Sequence, residues 1–110
     1  MRLPNGDGAE IDIGKLKDYC LNPKHEVGKH KARVFAASLN LGIEECEILR
    51  DKLLEAAQKN EAKPGVFDKY GQRYIVEFEM EHNGNTAVVR SVWIIDTDKR
   101  TPRLITCLIV

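Results

Sequence analysis

One dipeptide, Asn83-Gly84, constrains the fold of this chain more than any other feature. Asn-Gly fills the two central positions of a tight hairpin turn at little steric cost, and the twist of that turn matches the twist of paired strands. The runs on either side, residues 72–81 and 86–96, are rich in aromatic and β-branched residues and alternate in polarity, as half-buried strands do. A two-residue loop sets His82 opposite Asn85 and fixes every pair beyond it. Tyr74 then meets Trp93, Val76 meets Ser91, Phe78 meets Val89 and Met80 meets Ala87, all on one face. The apolar character of that face assigns it to the core. Tyr74 and Trp93 are therefore core aromatics, and only a reversed face assignment would free them to stack on bases. The opposite face sets Arg73 beside Ile94, Ile75 beside Val92, Glu77 beside Arg90 and Glu79 beside Val88, a mixture of charge and branched aliphatics. A further strand is expected over 103–110, which follows Pro102 and has almost no polar residue. A short fourth is expected over 61–68, turning through Lys69-Tyr70-Gly71.

The first half of the chain has helical spacing, and the change falls near residues 60–65. Asp12 is placed to cap a short helix over 14–20, which must end before Pro23 because the residue ahead of a proline avoids the helical region. A second helix is expected from Lys29 or His30 to Leu39, with Lys31, Phe35 and Leu39 on one face and Asn40-Leu41-Gly42 as its stop. A third is expected over 44–58, with Ile48, Leu49, Leu53 and Ala57 as its apolar stripe. Glu44, Glu45 and Glu47 lie at its start, where the macrodipole favours negative charge. The fold class that follows is α+β: N-terminal helices packed on a C-terminal antiparallel sheet of three to four strands. The 110 residues are enough for one domain, 1–110, and too few for two. Residues 1–11 are expected to be flexible or a short strand.

Lys and Arg number 17, as do Asp and Glu, so the formal charge is zero. That balance excludes a protein whose whole surface grips phosphates, while leaving room for a local basic patch. No apolar run nears the ~20 residues that span a bilayer, and the opening MRLPNGDGAEID lacks the apolar stretch of a secretory signal. A cytoplasmic protein with no membrane partner is expected. Cys20, Cys46 and Cys107 are odd in number and widely spaced, whereas a disulfide framework or zinc knuckle needs closer pairs. They read as small buried hydrophobes. His25 and His30 are five apart, not the four that align two ligands on a helix, and no H-E-x-x-H occurs. Neither metal nor cofactor is expected.

Two places stand out as chemistry. Residues 24–33 hold Lys24, Lys29, Lys31 and Arg33 against Glu26 alone, a local +3 that also contains His25 and His30. The stretch crosses an expected helix N-terminus, where free N–H groups attract anions, and histidine exchanges protons near neutral pH. It is either a phosphate site or a solvated loop balancing the acidic helix that follows. The pattern G-x-x-x-x-G-K-[ST] is absent around Gly28-Lys29-His30-Lys31, which excludes a P-loop. The second place is Arg90, which interrupts an otherwise apolar strand and must find a partner or water. It either pairs with Glu77 across the hairpin or clamps an anion at mid-sheet, with Arg73 and Arg103 extending the surface. Thr106 carries a hydroxyl that strand parity alone does not assign to a face.

Four blocks in order now carry a resemblance: Asn22-Pro23-x-His25-x-x-Gly28-x-x-Lys31-Ala32-x-x-Phe35, then Tyr70-Gly71-x-Arg73-Tyr74-x-Val76, then Ala87-x-Val89-Arg90-x-x-Trp93-Ile94, and last Pro102-Arg103-Leu104. They resemble a family of small uncharacterised bacterial domains, found free-standing and similar to C-terminal modules of polymorphic and contact-dependent toxins. The resemblance implies a barnase/EndoU/colicin/RelE-like nuclease fold and a metal-independent endoribonuclease-like toxin acting through the RNA's own 2′-OH. It implies His25 as general acid or base and Lys31 and Arg90 as stabilisers of the phosphorane charge. Arg103, Thr106, His30 and Arg73 would hold the phosphate. RNA and a cognate antitoxin or immunity protein are the implied partners. The competing reading is a non-enzymatic protein-binding module or homodimer that uses the sheet face or the apolar edge strand over 104–110.

Overall fold

The computed structural model describes residues 1–110. The hairpin forms as its turn chemistry requires, with positive φ at Asn83 (51°) and Gly84 (78°). β2 (Gly71–His82) and β3 (Asn85–Asp96) pair from His82 opposite Asn85 to Gly71 opposite Asp96, the register that the two-residue loop dictates. β1 (Ala62–Asp68) and β4 (Arg103–Ile109) complete a four-stranded antiparallel sheet in the order β1-β2-β3-β4. The architecture is α+β, as the sequence implies.

Three helices cover one face of this sheet. α1 is the turn Ile13–Lys15, continued by a wider turn over Leu16–Cys20. Its cap is Asp12, whose Oδ1 accepts the Gly14 N–H at 2.9 Å. α2 spans Lys29–Leu39 and stops at Asn40, which enters the left-handed region at φ 54°. α3 spans Cys46–Lys59 and is entered through a tight turn over Ile43–Glu45. Phe35 and Leu39 of α2, Leu49, Leu53 and Ala57 of α3, and Leu16 of α1 close on Val76, Phe78, Met80, Val89, Trp93 and Leu104 of the sheet. Burial of each large side chain is worth ~1.5–3 kcal/mol, which holds helices of mixed polarity in place. Ile48 departs from the expected stripe of α3: it faces solvent, and Ala56 packs inward instead. The buried Ser91 donates its hydroxyl to the Val76 carbonyl at 2.7 Å and accepts the Trp93 Nε1–H at 2.9 Å. The tryptophan thus enters the core with its one polar group satisfied.

β4 departs from strict alternation. Trp93 pairs with Leu104 but Val92 pairs with Thr106, leaving Ile105 as an extra residue. Two residues opposite one make a bulge, which re-aims the side chains around it. Pairing with Val92 by itself would set Thr106 on the face of Val92 and Arg90. The bulge turns its hydroxyl to Cys20 and Lys31 in the helical layer. The outer edge of β4 is covered at its start, because Glu10 pairs with Arg103 in parallel and takes the Leu104 N–H at 3.0 Å. The apolar strand expected as an open docking edge is therefore partly capped by the N-terminal segment. No helix is long and apolar enough to cross a membrane.

Candidate functional site

The site grows from the irregular end of α1. There the Leu21 N–H bonds the Leu16 carbonyl at 2.8 Å, five residues back. A turn widened by one residue breaks the usual helical spacing and is a frequent mark of function. It buries Cys20 completely and leaves Tyr19 half-buried. The following loop folds back over this turn. Gly28 passes so close to the Tyr19 carbonyl that a Cβ there would overlap it, so only glycine permits the approach. His25 shapes the same loop: its Nδ1 accepts the N–H groups of Val27 (3.1 Å) and Gly28 (2.9 Å). Lys29 then starts α2 by bonding the His25 carbonyl at 2.9 Å, and the helix presents Lys31 to Tyr19.

Lys31 is the hub. Its Nζ donates to Tyr19 Oη at 2.8 Å and to Thr106 Oγ1 at 3.1 Å, and lies 4.7 Å from the Tyr19 ring centroid. The His25 ring meets Tyr19 edge-on at 4.9 Å. No carboxylate lies within 4.0 Å of this half-buried ammonium, although five other cationic groups of the chain are so paired. Thr106 passes the contact on, with its Oγ1 3.7 Å from Cys20 Sγ. The Cys20 thiol is lowered from 9.0 to about 6. The hydrogen bond from the Cys107 thiol is the largest cause, opposed by burial and assisted by the Cys107 backbone N–H, Thr106 and the Lys31 charge. Cys107 is raised correspondingly, because its proton is engaged by the Cys20 sulfur and burial penalises its own charge.

The hydrogen-bond inventory leaves donors unspent. Tyr19 Oη accepts from Lys31, so its own O–H remains to be given. His25 accepts at Nδ1, so its neutral ring carries the proton at Nε2, which has no partner in the protein. The ammonium has a third N–H. These donors surround Tyr19 and none meets a carboxylate, the arrangement that suits an oxyanion. Tyr19 and His25 also line an open groove of about 510 Å³ with Asp12, Gly14, Lys15, Asp18 and Val27.

The structure therefore brings together His25, Lys31 and Thr106 from the sequence-derived set. The others lie apart. His30 is exposed on α2. Arg90 alternates with the buried Val89 and Ser91, so it points away from the helices, and its Nε donates to Glu77 Oε2 at 2.6 Å. The expected clamp of Arg90 beside the histidine loop does not form, because strand alternation places the two on opposite faces. Arg73 donates to Asp68 at 3.0 Å, and Arg103 makes a two-pronged bond to Asp96 at 2.7 and 3.0 Å. Asp96 is lowered chiefly by its hydrogen bond from Arg103, which is raised in turn. Asp68 is lowered chiefly by the Tyr70 backbone N–H. Tyr19 and Cys20 escape sequence reasoning: neither belongs to a motif, and the one cue is that the short capped helix ends on them beside the basic loop.

Among solved structures, a chain of the contact-dependent growth inhibition toxin–immunity protein complex from Klebsiella pneumoniae 342 is similar, with a TM-score of 0.69 over 96% of each chain and 18% identity. At that identity the likeness is one of fold. None of the curated proteins matches the chain. A family model spans residues 2–110, nearly every position described above, and the protein thus belongs to the family described as Domain of unknown function (DUF6883).

Proposed function

We propose that the chain is a ribonuclease-like module of the toxin class, with its phosphate site at Tyr19, His25, Lys31 and Thr106. The observation that carries this reading is the Lys31 ammonium, held by two hydroxyls with no carboxylate within 4.0 Å. A phosphodiester oxygen is the ligand that such a cation lacks. In the reaction the ribose 2′-oxygen gives its proton to water and attacks phosphorus, and the bond from phosphorus to the 5′-oxygen breaks as that oxygen takes a proton from water. The products are a 2′,3′-cyclic phosphate and a 5′-hydroxyl, and the nucleophile belongs to the RNA. Lys31 and the Tyr19 O–H bind the charge that builds on the non-bridging oxygens, and preset donors act most strongly there. Thr106 fixes the direction of the ammonium. His25 Nε2–H donates to the phosphate; to act as a base it must first move its proton to Nδ1 and release the Val27 and Gly28 amides. Arg90 and Arg103, neutralised by Glu77 and Asp96, take no part.

The likeness to a chain of a toxin–immunity complex supports the toxin setting, in which a cognate immunity or antitoxin protein is the partner. The test is incubation of purified protein with RNA and analysis of the product ends. Cleavage that leaves cyclic phosphate, lost in Lys31→Met and His25→Ala but kept in Arg90→Met, supports the assignment. Intact RNA with folded protein, or full cleavage by Lys31→Met, refutes it.

A further inference from the structure

A second surface lies at the end of the sheet where β1 turns into β2 and β3 leaves for β4. The two connections are tied together: the Thr97 N–H bonds the Tyr70 carbonyl at 3.1 Å, and Thr97 Oγ1 bonds the Lys69 carbonyl at 2.8 Å. Two aromatic rings protrude here, Phe67 at 75% and Tyr70 at 61% exposure. Both rings are free to meet a planar ligand. Lys69 Nζ lies 5.2 Å from the Tyr70 centroid. The neighbouring Arg73 and Arg103 are neutralised by Asp68 and Asp96, whereas Lys69, Lys99 and Arg100 have no carboxylate within 4.0 Å. Against the Asp98 charge they leave a local +2 in a chain whose total is zero.

Cations set among exposed rings match one ligand chemistry above others: bases stack on the rings while the phosphates meet the charges. None of the three grooves of the molecule includes these residues, so the ligand must lie across protruding rings instead of filling a pocket. A flexible single strand does this. The surface also connects with the phosphate site. Val92 stands opposite Thr106, and Asp96 stands opposite Gly71, four residues further along β3. That is about 13 Å at strand rise, a span of about four nucleotides at helical rise. The groove residue Asp12 lies two positions from Glu10, which pairs with Arg103 at this same end.

We infer that Phe67, Tyr70, Lys69, Lys99 and Arg100 form a single-stranded RNA platform that holds the strand entering the Tyr19–Lys31 site. The inference rests on the RNA reading of that site, and its test separates the two. The probe is a fluorescent 2′-O-methyl RNA of about twelve nucleotides, which has no free 2′-OH to attack, beside one of about three that reaches only the phosphate site. Binding is measured by anisotropy across a salt series, with circular dichroism as the check on folding. Phe67→Ala and Tyr70→Ala should each weaken the long probe about tenfold and leave the short one unchanged. The triple change Lys69→Glu, Lys99→Glu, Arg100→Glu should flatten the log–log salt slope by about 2. If these variants bind the long probe like the wild type while Lys31→Met still weakens both probes, the platform is refuted and the phosphate site stands. If the wild type binds neither probe at low salt, the RNA reading falls and the platform with it. If polyglutamate displaces the long probe as readily as unlabelled RNA does, the surface is a docking face for an acidic protein and the inference is overturned.

Discussion

Cys20 should be ionised at neutral pH in the folded protein, although it is fully buried. Its titration falls from 9.0 to about 6, a difference of three units, or roughly 4 kcal/mol between its two protonation states. The largest cause is the Cys107 thiol, so Cys107→Ala is the perturbation that tests the account. In a Cys46→Ala background only the two interacting thiols remain, and thiolate absorbance in the ultraviolet can be followed against pH. One step should appear near pH 6, and the second thiol should resist ionisation well above 9.0, because the pair gives up its protons one at a time. In Cys107→Ala the first step should move up, with the remaining depression due to the backbone N–H of residue 107, Thr106 and Lys31. The sign of the stability effect follows. Cys20 is depressed on folding, so its contribution is fully present above 9.0 and is lost as pH falls through about 6. The unfolding free energy from denaturant melts should rise across that window by up to about 1.4 kcal/mol per pH unit from this group alone, and the rise should vanish in Cys20→Ala. Above 9.0 the raised Cys107 acts in the opposite sense. A folded protein with no thiolate step below about pH 8 would refute the reasoning.

Two further outcomes test the scaffold of the site. Gly28→Ala should destabilise the protein by about 1–3 kcal/mol, because the new Cβ overlaps the Tyr19 carbonyl; the loss is read from the thermal midpoint, with RNA cleavage falling alongside it. Ser91→Ala should cost about 1–3 kcal/mol by leaving the buried Trp93 Nε1–H without an acceptor, with a shift in tryptophan fluorescence as its signature.

The sheet was largely legible because its determinants are local. Asn83-Gly84 sets the turn, the turn sets the register, and the register sets which residues face inward. The helix ends were legible for the same reason, through the Asp12 cap and the left-handed Asn40. The site was legible only in part. His25, Gly28 and Lys31 lie within seven positions of one another, so their spacing carried a signal. Tyr19 joins them through the wide turn of α1, and Thr106 through the bulge in β4. Both features are one-residue irregularities decided by tertiary packing, which periodicity does not encode. Arg90 misled for a related reason. Its oddity along the strand was real, but Glu77 directly across the hairpin accounts for it.

The bulge in β4 gives strand length a chemical meaning. A chain lacking Ile105 keeps every functional group of the cluster, and Leu104, Thr106 and Cys107 then face Trp93, Val92 and Ser91 in unbroken alternation. The hydroxyl moves to the far surface with Arg90, and the ammonium loses one of its two tethers. A single inserted aliphatic, inert in itself, decides which side of the molecule owns the threonine.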